Sequence, residues 1–75
     1  MVLFTHIRIN GDYIYATAKD LKTNEEVAIK LHKSSDEFYI SNGINSGDFV
    51  KALGNLQCEY MKKGKLPDSY EVNWG

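Results

Sequence analysis

The sequence predicts an α+β protein: an antiparallel four-stranded sheet in ββββα order, one amphipathic helix on one face, and a C-terminal stretch suited to a fifth strand. Three observations predict it. Apolar and polar residues alternate through residues 3–19 and again through 25–32, the period of half-buried strands. An Asn10-Gly11 pair interrupts the first run where a tight hairpin turn is needed. From Asn45 the apolar residues recur at helical spacing instead.

The hairpin follows from parity, because successive strand side chains point to opposite faces. Leu3, Thr5, Ile7 and Ile9 share one face and Phe4, His6 and Arg8 the other; on the return strand Ile14, Ala16 and Ala18 oppose Tyr13, Tyr15, Thr17 and Lys19. A two-residue turn at Asn10-Gly11 pairs Ile7 with Ile14 and Thr5 with Ala16, so the two apolar sets meet. Residues 20–24 are rich in turn formers and lead to a third strand. Ala18 then faces Val27, Ala16 faces Ile29 and Ile14 faces Leu31, with the second strand central. Residues 33–36 form another turn, and residues 37–41 a short fourth strand with Phe38 and Ile40 inward and Tyr39 outward, closed by Asn42-Gly43.

In the helix, Phe49, Val50, Leu53, Leu56, Tyr60 and Met61 make the buried stripe, with Ala52 at its margin and Gln57 within it. Ser46 suits the N-cap, Asp48 the first turn, and Lys62, Lys63 and Gly64 the end. Gly54 inside a helix is expected to permit a close approach to a neighbour. After Pro67, Tyr70, Val72 and Trp74 alternate as a docked fifth strand or an arm.

Seventy-five residues make a single domain spanning 1–75, of the size that buries roughly 60% of its unfolded surface. A net charge of −1 gives no global attraction to nucleic acid or anionic membranes, so such binding requires a local patch. There is no apolar run long enough for a membrane span, no secretory layout in the first residues, and a lone Cys58 incapable of an internal disulfide; together they predict a cytoplasmic protein without membrane association.

The sheet face left uncovered by the helix carries Phe4, His6, Arg8, Tyr13, Tyr15, Thr17, Lys19, Lys30, His32 and Tyr39, with Glu26 as its one acid. Rings that stack on unpaired bases, interleaved with cations that meet phosphates, suit single-stranded nucleic acid. The same residue types are also what an exposed β face prefers on propensity alone. The candidate binding residues are Arg8, Tyr13, Tyr15, Lys19, Lys30 and His32.

The order Gly11-Asp12-Tyr13-Ile14-Tyr15-Ala16-Thr17-Ala18-Lys19-Asp20, a tight turn, Val27-Ala28-Ile29-Lys30-Leu31, then Asn42-Gly43-Ile44 before a helix with Phe49 and Leu53, resembles the positive-cofactor-four type of single-stranded-DNA-binding domain over residues 8–60. That resemblance implies a ββββα fold, a homodimer, and melted DNA held on curved sheets and basic loops. It places the contact on Arg8, Lys19 and Lys30 with Tyr13 and Tyr15.

Other chemistries find less support. Val27-Ala28-Ile29-Lys30 matches a kinase strand, but no glycine-rich loop precedes it and no catalytic loop follows. His6, His32 and Cys58 fall on separate strands and the helix, short of the three or four converging ligands zinc needs. The acids Asp12, Asp20, Glu25 and Asp36 sit in or beside turns, where they serve the backbone. The expectation is a non-enzymatic, homodimeric binding module without metal or cofactor, acting on single-stranded nucleic acid. The alternative is a small regulator or inhibitor binding a protein partner through the same face or through the tail.

Overall fold

A computed structural model of the chain describes residues 1–41 and 47–73. It has five strands and one helix in the order β1 (Val2–Asn10), β2 (Tyr13–Asp20), β3 (Glu26–His32), β4 (Phe38–Ile40), α1 (Gly47–Lys63) and β5 (Tyr70–Val72). The strands form one antiparallel sheet with spatial order β4-β3-β2-β1-β5. The fold is therefore α+β, with the helix after four strands and a fifth strand after the helix. The proposed N-cap Ser46, the Asn42-Gly43 closure and Trp74 lie outside the described residues.

The β2/β3 register is the one the apolar pattern requires: Ala18 faces Val27, Ala16 faces Ile29 and Ile14 faces Leu31. The turn between them is held by its own polar groups. The amide of Lys22 donates to Asp20 Oδ1 (2.9 Å), that of Asn24 donates to the Asp20 carbonyl (2.7 Å), and Asn24 takes a φ of 63°. Short polar side chains adopt that left-handed region more readily than most.

The first hairpin differs from the sequence reading. Its turn is Gly11-Asp12, not Asn10-Gly11, so Asn10 pairs with Tyr13, Ile9 with Ile14 and Arg8 with Tyr15. Gly11 has a φ of 63°, and a glycine at the first central position satisfies a type II′ turn with one positive φ, whereas type I′ needs two. A bulge then falls between Thr5 and Arg8, with His6 at a φ of 54°, and beyond it Thr5 pairs with Thr17 and Phe4 with Ala18. The extra residue inverts the parity of the strand. Val2 and Phe4 consequently point into the core, each 0% exposed, and Leu3 and Thr5 turn to the open face. Phe4 is thus no part of the uncovered face. The inversion buries a Phe in place of a Thr, which favours the bulge by the apolar area it removes from water.

Helix α1 lays Phe49, Ala52, Leu53 and Leu56 against Val2, Phe4, Ile14, Ile29, Leu31, Ile40 and Val72. The buried stripe is narrower than the periodicity suggests. Ala52 is central to it, while Val50 and Met61 are exposed, because one helix on a small sheet buries only the residues facing the strands. Gln57 lies at the edge of the stripe. Its Nε2 donates to the carbonyls of His32 (3.0 Å) and Ser35 (2.7 Å), pinning the β3/β4 loop to the helix.

Gly54 permits no close approach: a Cβ added there meets nothing within 4 Å. The glycine leaves only its entropic cost, so Gly54→Ala should stabilise the protein by roughly 0.8–1.0 kcal/mol. Thermal unfolding should show a rise of about 4–8 °C in Tm, and a fall would mean that the helix needs the glycine after all.

Strand β5 pairs with the start of β1, Val2 with Val72 and Phe4 with Tyr70. The C-terminal stretch is therefore a strand over Tyr70–Val72. No helix among the described residues is long and apolar enough to cross a membrane.

Candidate nucleic-acid interface

With α1 on one side, the other side of the sheet has no element packed over it among the described residues. Register places its side chains in rows across the strands. Arg8, Tyr15, Lys30 and Tyr39 form one row, cation, ring, cation, ring, spanning β1 to β4. Three strand spacings make that row about 14 Å wide. Next to it, toward the hairpin end, lie Asn10, Tyr13 and His32. A turn at Asn10-Gly11 would pair Arg8 with Tyr13; moving the turn by one residue places Arg8 beside Tyr15. His6 leaves the rows altogether, since it sits in the bulge.

The rings and cations already touch. Arg8 Cζ lies 5.4 Å from the centroid of Tyr15, and Lys30 Nζ lies 4.3 Å from that of Tyr13. The rings of Tyr13 and His32 meet edge to face at 5.2 Å. Such cation–ring contacts near the surface contribute about 0.5–1 kcal/mol each, weak enough for a ligand to displace. His32 has a structural task as well: its Nδ1 accepts from the amides of Ser34 (3.1 Å) and Ser35 (3.2 Å), leaving Nε2 as the donor of the ring.

The structure brings together five of the six expected residues, Arg8, Tyr13, Tyr15, Lys30 and His32. Lys19 stands apart. It is four residues along β2 from Tyr15, about 13 Å away, and directly across from Glu26. Glu71 lies at the same end of the face, opposite Leu3. Glu26 and Glu71 thus lie at the β5 end of β1, while the cation–ring row lies toward the first hairpin with Glu37 beside it at the β4 edge.

No family model, curated protein or solved structure matches the chain.

Two residues at or beside the rows, Tyr39 and Glu37, are not among the six expected. Tyr39 is 60% exposed and closes the central row. Glu37 precedes β4, where its carbonyl accepts from the His32 amide (3.0 Å) and its amide donates to Ser35 Oγ (3.3 Å). With Tyr13, Lys30 and Phe38 they line a shallow cavity of about 150 Å³ at the β3/β4 edge. Alternation alone places Tyr39 outward; its role as one end of a row emerges only from the β3/β4 register. Cys58 is exposed on α1, away from the open face. Among the described residues no three His, Cys, Asp or Glu side chains converge as a metal site.

Proposed function

We propose that the protein is a non-enzymatic, cytoplasmic binding module that holds single-stranded nucleic acid across its open sheet face. The row Arg8, Tyr15, Lys30, Tyr39 is the observation that supports this most. Rings and cations alternate there over a width suited to a few nucleotides, bases stack on aromatic faces without regard to sequence, and phosphates pair with the intervening cations. The net charge of −1 makes the local row, not the whole protein, the source of attraction.

The test is a titration of labelled single-stranded DNA and RNA at about 50 and 200 mM salt. Two phosphates neutralised by Arg8 and Lys30 predict an affinity that falls about sevenfold between those conditions. An Arg8→Glu, Lys30→Glu double variant that keeps its fold should lose both the binding and the salt slope. The competing reading, a regulator docking on a protein, draws on the exposed pair Phe38 and Tyr39 at the sheet edge. Absence of nucleic-acid binding at the lower salt would favour it, because an interface anchored on aromatic residues depends little on salt.

A further inference from the structure

The cavity at the β3/β4 edge differs from the rest of the face in one respect: it pairs an uncovered ring with a carboxylate. Lys30 occupies one side of Tyr13 and Arg8 one side of Tyr15, whereas no cation stands over Tyr39 among the described residues. Glu37 lines the same cavity, and its carboxylate has no hydrogen-bond or ion-pair partner among the described residues. A carboxylate there repels phosphate but can accept from a donor-rich ligand group. Ionised carboxylates only accept hydrogen bonds. Among the bases, guanine alone offers two adjacent donors on its pairing edge, N1–H and the 2-amino group, and these match a carboxylate bidentately. Thymine and uracil offer one N–H between two carbonyls that would repel it.

We infer that this cavity is a guanine-reading subsite of the nucleic-acid face, in which the base stacks on Tyr39, presents its pairing edge to Glu37, and leaves its phosphate beside Lys30. The volume of about 150 Å³ is on the scale of a single base. The inference rests on the proposed binding of single strands, and adds to it a preference at one nucleotide.

Its test uses an oligothymidylate of about ten nucleotides, the same oligomer with one central guanine, and the same with inosine, which keeps N1–H but lacks the 2-amino group. Fluorescence anisotropy on the full chain should show the guanine oligomer binding about tenfold tighter than oligothymidylate, the discrimination expected of one bidentate pair, with inosine between. Glu37→Gln should erase the difference between guanine and thymine, and Tyr39→Ala should weaken the guanine oligomer by about tenfold through lost stacking. Both positions are exposed, and circular dichroism checks that each variant is folded. Equal binding of all three oligomers by the wild type, or a guanine preference that survives Glu37→Gln, would overturn the subsite while leaving the open face intact as a platform. If no oligomer binds at the lower salt, the platform itself is refuted and the subsite with it.

Discussion

Phe4→Ala should remove about 3–5 kcal/mol of stability, the cost of truncating a fully buried aromatic side chain in a core that only partly collapses around the gap. Phe4 is 0% exposed and belongs to the core with Phe49, Ile14, Leu56 and Val2. A chain of this length has roughly 4–11 kcal/mol in total, so the variant sits near or below the threshold of folding at ambient temperature. Thermal unfolding should show a Tm at least about 12 °C lower. Leu3→Ala, one residue away, is the control. Leu3 faces the open side beyond the bulge and is only half-buried, so its truncation should cost under about 1 kcal/mol, as for a position away from the core. The pair reads out the bulge directly: a straight strand with the parity of Ile7 and Ile9 would reverse the two costs, and that reversal would refute the register described here.

The contrast between those two residues also shows where the fold was legible from sequence. Between β2 and β3 the apolar sets Ile14, Ala16, Ala18 and Val27, Ile29, Leu31 are unbroken, both strands alternate without exception, and only one register superimposes them. In β1 two alternations compete. Leu3, Ile7 and Ile9 make an odd-numbered apolar set, while Val2 and Phe4 make an even one, and a single strand cannot bury both. The structure resolves the conflict by placing a bulge at His6, so that the even set is buried on one side of it, while Ile7 packs on the core and Ile9 faces Ile14 on the other. Nothing local announces it, since the left-handed residue is a histidine and not a glycine. The same shift explains why the candidate site was only partly legible. Tyr13, Tyr15, Lys30 and His32 sit on the two strands whose register follows from pattern. Arg8 keeps its face but changes its row, because its partner depends on the turn. The helix buries a narrower stripe than its periodicity suggests for a related reason: periodicity reports which residues are on one side, whereas the width of the sheet decides how many are covered, and Val50 and Met61 fall outside it.

Val72→Asp should cost at least the roughly 1.5–3 kcal/mol that burying a valine contributes, and the way in which the cost varies with pH should report how β5 is attached. Val72 is 5% exposed, paired with Val2 and part of the core that α1 covers. A carboxylate there has two outcomes. If β5 stays docked, burial in an apolar site disfavours the charged form and raises the pKa of the introduced carboxyl above its unfolded value near 3.9. The protonated form is then the one the folded state tolerates. Relative to wild type at the same pH, the deficit is smallest below about pH 3.9 and grows as pH rises through the folded-state pKa. If β5 instead undocks, the carboxyl titrates alike in folded and unfolded chains, and the deficit is the lost docking alone, flat with pH. The structure favours the first outcome. Releasing three residues would uncover Val2 and Phe4 together, and strip β1 of the partner that covers its edge at that end. Denaturant unfolding of the variant and wild type at pH 3.5 and 7 distinguishes them. A deficit that widens toward neutral pH places β5 within the cooperative core, and a flat one makes it an arm that can leave the sheet without unfolding the rest.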